Sequence, residues 1–189
     1  MQNHSHLKEF SRYVSVNVLG MLGLSCYILA DTFFIARGLG ANGLTALNLA
    51  IPIYSLIHGS ALMLGMGGSI RYSILKSQNQ KDAGNTAFTH TLVLALCLGI
   101  LFSFAGLFFT KQITALTGAD SAVFQMTETY LKLLLLCAPA FLLNELLLCF
   151  VRNDQAPHLA MLAMITGSLS NIVLDYIFIF PLHLGIFGA

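Results

Sequence analysis

The feature that most constrains this chain is a series of long apolar segments, each long enough to cross a lipid bilayer. A spanning helix needs about 20 mostly apolar residues. Five segments meet this requirement: residues 13–36, 43–68, 86–110, 126–150 and 158–182. Because backbone polar groups find no partners in hydrocarbon, such segments must be helical. The sequence therefore predicts an all-α fold, a polytopic transmembrane helical bundle with about five spans.

The composition supports this fold and excludes several classes of function. Charged residues make up 9% of the 189 residues and apolar residues 57%, whereas a soluble domain is about a quarter charged. A net charge of +1 provides no basic surface for nucleic acid. The chain has no HExxH, GxSxG, P-loop or CxxC motif, so we expect neither an enzyme nor a cofactor. The expected surroundings are the lipid bilayer.

Two local features refine the expected bundle. The segment GLGANG at residues 38–43 predicts a tight hairpin between helices one and two, because glycine accepts positive φ. Pro52 and Pro139 lie inside helices two and four and predict bends there. The connections are too short to separate domains, so residues 1–189 are expected to form a single transmembrane domain.

The distribution of lysine and arginine predicts the orientation in the membrane. Six of the nine basic residues fall on the N-terminal side of the predicted spans. By the positive-inside rule this side is cytoplasmic. Five spans then place Ala189 at the outer face of a plasma membrane that the chain crosses several times. These six residues are Lys8, Arg12, Arg71, Lys76, Lys81 and Arg152.

Acidic residues at membrane depth carry most of the functional information. A carboxylate at a helix centre costs about 2.5–3.5 kcal/mol and marks a functional site by default. Asp31 and Asp175 lie eighteen and seventeen residues after the starts of helices one and five, which run in the same direction. The two carboxylates are therefore expected at nearly the same depth, in the outer half of the membrane. Glu145 lies nearer the cytoplasmic end of helix four, where snorkelling toward the interface explains it.

The residues around these two acids predict a site for a small cation. Asn171 lies one turn before Asp175, and an amide with carboxylates supplies oxygens that suit a hard cation such as Na⁺. A buried carboxyl can also hold a proton near neutral pH. The alternative is a structural hydrogen-bonded stripe that joins helices one and five. Tyr27, four residues before Asp31, is a candidate cavity-lining residue.

Two asparagines in the other helices are further candidates for the cavity wall. Asn48 lies in helix two and Asn144 in helix four. Polar side chains of this kind also join helices through hydrogen bonds in membranes. Interhelical hydrogen bonding is the favoured interpretation of both residues.

Two stretches resemble the multidrug and toxic compound extrusion (MATE) transporters, most closely their MepA-like branch. Residues 30–52, ADTFFIARGLGANGLTALNLAIP, resemble the end of helix one and the start of helix two in that family. Residues 150–189 combine RND-x-x-P, SN-x-x-x-D and GIFGA at fixed spacings. The resemblance implies a protein of two six-helix lobes around a central cavity. This chain would be an incomplete N-terminal lobe, without helix six and the C-terminal lobe.

The resemblance also implies a function and a site. In the family, an aspartate of helix one and an Asn-x-x-x-Asp pair of helix five form a cation site, which matches Asp31, Asn171 and Asp175. The expected function is proton- or sodium-coupled antiport that exports bulky cationic or amphiphilic drug-like compounds from bacteria and gives antibiotic resistance. Sodium is the metal ion these residues would hold. Two alternatives remain: a lipid-linked oligosaccharide flippase of related architecture, and a membrane scaffold subunit that transports nothing.

Overall fold

The computed structural model describes residues 2–154 and 156–188, with side chains at residues 11, 14, 15, 18–154 and 156–188. Its elements are α1 (Gln2–Ser77), α2 (Lys81–Phe108), α3 (Thr110–Leu116), α4 (Phe124–Leu136), α5 (Ala138–Asn153), α6 (Pro157–Ile179) and a 3₁₀ turn η1 (Gly185–Phe187). The side chains of Lys8 and Arg12, and the whole of Ala189, lie outside the described residues. The orientation inferred from them stays a prediction.

The helix α1 folds back on itself at Gly40 and supplies two spans. A straight helix of 76 residues would measure about 110 Å, several times the thickness of the hydrocarbon core. Gly40 has φ 68° and ψ −159°, a conformation that only glycine adopts readily. Tyr27 and Tyr54, thirteen residues before it and fourteen after it, interact through their side chains. The first arm (residues 2–39) and the second arm (residues 41–77) therefore lie antiparallel, as the predicted hairpin requires.

The fourth predicted helix is a broken span made of α4 and α5. The two helices meet at Cys137 at an angle of 51°. Pro139 lies in the first turn of α5, where backbone N–H groups have no partner within the helix, so the missing N–H of proline loses no hydrogen bond. In the interior of a continuous helix the same residue would remove a backbone hydrogen bond, so α4 does not continue through it. Among the described residues, three helices are long and apolar enough to cross a membrane, and the bent pair makes four. Because α1 folds back at Gly40, its two arms bring the number to the five predicted spans. The bend predicted at Pro139 is confirmed.

The helix bounds differ from the predicted ones for local reasons. α2 ends at Phe108, and the short helix α3 follows where the sequence predicted a loop. In α3 the buried Thr110 and Thr114 hydroxyls donate to carbonyls one turn back, so they leave no unpaired polar group. α6 ends at Ile179 and not at residue 182, because Pro181 has no backbone N–H with which to continue the helix.

Small residues allow α2 to approach α4 and α5 closely. A Cβ added at Gly99 would lie 2.7 Å from Pro139 Cα, and one at Gly106 would lie 2.6 Å from Leu135 Cβ. Around these contacts the buried core joins α1, α2, α4 and α5. In a membrane, helix association depends on such close packing, since lipid tails are as apolar as leucine.

Polar contacts fix the end of α5 against the second arm of α1. The Asn153 side chain donates to Ser69 Oγ, and Ser73 Oγ donates to the Asn153 carbonyl oxygen at 3.2 Å. Lys76 forms an ion pair with Asp154. These contacts hold in place two helices whose side chains meet in the cavity described below.

We expect Gly99→Ala to destabilise the fold, because the new methyl group meets the backbone of Pro139 and such overpacking costs about 1–3 kcal/mol. The matched control is Gly59→Ala, since a Cβ at Gly59 has no atom within 4 Å and alanine favours a helix. Thermal unfolding in detergent should show a lower midpoint for Gly99→Ala alone. Equal midpoints for the two variants would contradict the described packing of α2.

Candidate ion and substrate cavity

A cavity of about 360 Å³ lies among the two arms of α1, α4, α5 and α6. Asp31 contributes to its wall from the first arm, and Asn171 and Asp175 contribute from α6. Asp175 is only 4% exposed, whereas Asp31 and Asn171 are half-buried. The three residues that the sequence singled out as a cation site therefore line one cavity.

The parallel packing of the first arm and α6 explains why these residues meet. Gly20 of the first arm contacts Met164, and nearer the fold-back Gly38 contacts Ile179. Residue numbers rise together along both helices, so Asp31 lies between these two levels, beside Asn171 and Asp175. The two carboxylates are close enough to interact electrostatically.

Each of these three side chains keeps one oxygen unsatisfied. Within the described chain, Asp31 Oδ1, Asn171 Oδ1 and Asp175 Oδ2 are buried and have no hydrogen-bond partner. A buried polar atom without a partner costs about 1–3 kcal/mol. A structural hydrogen-bonded stripe would have satisfied them. A proton or a hard cation bound among them would remove this cost.

The oxygen donors of these three residues fit a small cation and not a transition metal, which prefers nitrogen or sulfur ligands. In the described residues no group of three or more His, Cys, Asp and Glu side chains is arranged to hold a metal ion. Two carboxylates and one amide instead supply oxygens, which suit Na⁺, and the carboxylates also suit a proton. The unpartnered oxygens are consistent with either ion.

The structure places two of the three candidate lining residues in the cavity wall. Tyr27 and Asn144 line it, whereas Asn48 is exposed and is not among the residues that line this cavity. Asn48 precedes the lining residue Ile57 by nine positions, which is two and a half helical turns. It therefore lies on the face opposite Ile57, and a cavity-lining role for Asn48 stays a prediction.

Sequence reasoning missed three residues of the wall. Tyr130 of α4 lines the cavity, as do His58 of the second arm and Glu145 of α5. His58 Nδ1 lies 3.8 Å from Glu145 Oε1, so the snorkelling interpretation of Glu145 was wrong. The bend expected at Pro139 did not by itself give the direction of α5, which places Glu145 in the cavity wall. Its acidic side chain within an apolar segment was the available signal.

Comparison with known proteins identifies the family. The MatE family model matches residues 17–177. The chain belongs to the MatE family. The multidrug export protein MepA of Staphylococcus saprophyticus is 31% identical to it over 174 residues, which cover 91% of this chain and 38% of that protein. The MatE match confirms the resemblance seen in residues 30–52 and 150–189.

Solved structures of MATE and related transporters share the fold. A MOP superfamily transporter from Pyrococcus furiosus has 30% identity and a TM-score of 0.87, over 94% of this chain and 39% of that one. The MATE multidrug transporter DinF-BH has 27% identity and a TM-score of 0.86, over 93% and 40%. These matches confirm a helical membrane bundle. MATE proteins are ion-coupled transporters in the plasma membrane, and this chain spans 38% of the length of the MepA relative.

We expect Asp31→Asn and Asp175→Asn each to raise thermal stability near neutral pH, because each removes one of two interacting charges from a poorly solvated space. The matched control is Asp82→Asn at an exposed position of α2, where the change should stay within about 0.5 kcal/mol. Thermal unfolding in detergent measures all three variants. A loss of stability in both cavity variants would favour the structural stripe instead.

Proposed function

We propose that residues 1–189 form one transmembrane domain, the ion-coupling N-terminal lobe of a secondary active multidrug efflux transporter. The complete transporter exchanges H⁺ or Na⁺ for bulky cationic or amphiphilic compounds. The observation that carries this proposal is the convergence of three buried, unpartnered oxygens from Asp31, Asn171 and Asp175 on one cavity. Helix six and the C-terminal lobe, which the family resemblance implies, are its required partners.

Binding of the coupling ion changes the charge between two packed helices. With no ion bound, two carboxylates face each other across the contact between the first arm of α1 and α6. A proton or Na⁺ neutralises part of this charge and satisfies the free oxygens. The ion therefore favours the arrangement in which these helices hold the oxygens together, and an ion shifts an equilibrium only through such differential binding.

The cavity wall has the chemistry to receive an organic cation. Three carboxylates line it, from Asp31, Glu145 and Asp175, and among the described lining residues there is neither lysine nor arginine. Tyr54 and Phe141, packed edge to face with ring centroids 6.5 Å apart, add aromatic surface to the wall. Aromatic faces and carboxylates together attract cations. MepA is a multidrug export protein and DinF-BH a multidrug transporter, which agrees with a drug-like substrate.

The alternative functions differ in the chemistry they need. A lipid-linked oligosaccharide flippase must bind a phosphorylated substrate, for which basic residues in the cavity are expected. The acidic wall described above disfavours this alternative. A scaffold subunit needs no unpartnered carboxylates, so it is separated from a transporter by the export experiment.

We expect cells that express the complete transporter to accumulate less ethidium than empty-vector cells. Asp175→Asn should abolish this difference, because it removes the charge that the coupling ion neutralises. Ethidium fluorescence is compared at matched membrane levels of wild type, Asp175→Asn and the exposed control Asp82→Asn. The control should export like wild type.

Equal accumulation in all four kinds of cell would contradict the export of ethidium and raise the flippase and scaffold alternatives. Full export by Asp175→Asn would instead remove Asp175 from the coupling site.

A further inference from the structure

A second titratable pair lies in the same cavity, away from the proposed coupling site. His58 Nδ1 and Glu145 Oε1 are 3.8 Å apart, with side chains 35% and 24% exposed. The pair joins the second arm of α1 to α5. The proposed coupling site at Asp31, Asn171 and Asp175 does not include this pair, which lies at a different depth.

The fold-back at Gly40 determines how far the pair lies from the coupling site. In the two antiparallel arms, the number of residues from Gly40 measures the depth of a side chain. Asp31 is nine residues from Gly40 and His58 is eighteen, so the two side chains differ in depth by nine residues, or about 13 Å along the helix axes. Between these levels lie Tyr27 and Tyr54, whose side chains interact with each other. Tyr27 is one turn from Asp31, and Tyr54 is one turn from His58. The tyrosine pair thus separates two polar regions of one cavity.

The position of His58 is fixed by packing. Its ring stacks on the ring of Tyr54, with centroids 5.8 Å apart and planes within 8°. Tyr54 in turn packs edge to face on Phe141 of α5. The imidazole is therefore held beside Glu145 by aromatic contacts, and it does not need to be charged to remain there.

Several other titratable or charged groups surround the pair. From α5, Cys149 interacts electrostatically with both Glu145 and Arg152, and from the second arm Tyr54 interacts with Glu145. The remaining groups that face the cavity are Tyr27 and Asp31 from the first arm, Tyr130 from α4 and Asp175 from α6. Except for His58 and Arg152, every one of these groups is neutral or negative near neutral pH. Acidic groups therefore outnumber basic ones around the pair.

We propose that His58 and Glu145 form a second proton-binding site that releases its proton when a cationic substrate enters the cavity. With the proton bound, the imidazolium and the carboxylate have no net charge. Loss of the proton from His58 to water leaves a neutral imidazole and a net charge of −1, which a cationic substrate offsets. This inference rests on the proposed function, because it assigns the same cavity to the substrate.

Histidine suits this role because it changes charge between about pH 5 and 8. A bound cation and an imidazolium in one small cavity repel each other, so each weakens the binding of the other. By linkage, a bound substrate lowers the affinity for the proton by the same factor by which a bound proton lowers the affinity for the substrate. Substrate binding therefore releases protons. A pair that only joins α1 to α5 would show no such exchange.

The test counts protons released when purified complete transporter binds tetraphenylphosphonium in weakly buffered solution, with a pH indicator as readout. At about neutral pH, we expect the His58→Gln and Glu145→Gln transporters each to release up to about one proton fewer than wild type for every tetraphenylphosphonium ion bound. The matched control Glu128→Gln, outside the cavity wall, should release the wild-type number. Equal proton release by wild type and both pair variants would overturn the proposal.

A second measurement needs no variant to fold. In wild type labelled with ¹³C-histidine, addition of tetraphenylphosphonium should convert one histidine ring from the protonated to the neutral form. Unchanged spectra of all histidines would overturn the proposal. Failure of the pair is separate from failure of the proposed function, which the ethidium experiment with Asp175→Asn decides by itself.

Discussion

The candidate site depends on one packing arrangement, the parallel contact between the first arm of α1 and α6. Gly20 and Gly38 allow the two helices to touch at both ends of the site, and this contact places Asp31 beside Asn171 and Asp175. Without it, each carboxylate would face lipid or another helix at a cost of several kcal/mol. The unpartnered oxygens are therefore a consequence of the fold, and they persist because the surrounding helices are held by independent contacts.

The fold-back at Gly40 has an equally direct effect on the cavity. It brings the two arms of α1 side by side, so that one continuous segment supplies residues at both polar levels of the wall. Tyr27 and Tyr54 meet at the same level, with Asp31 one turn outward and His58 one turn inward. On the far side, the bend at Cys137 directs α5 toward the same space.

Much of this architecture could be predicted from the sequence, because membrane segments obey simple length and depth rules. The five spans, the fold-back near Gly40 and the common depth of Asp31 and Asp175 all follow from counting residues. The contribution of Glu145 could not be predicted, since it depends on the direction of α5 after a break whose angle no local pattern gives. For Asn48 the sequence could not predict which face of the second arm meets the cavity, because depth alone does not give the direction of a side chain.

In the proposed mechanism, Asp31, Asn171 and Asp175 form one site that binds the coupling ion. Infrared difference spectroscopy of the purified complete transporter, recorded as protons or Na⁺ are added, follows the carboxyl groups of this site. We expect a carboxyl or carboxylate band that responds to the ion in wild type and is lost in both Asp31→Asn and Asp175→Asn. An unchanged response in either variant would show that the site does not bind the ion.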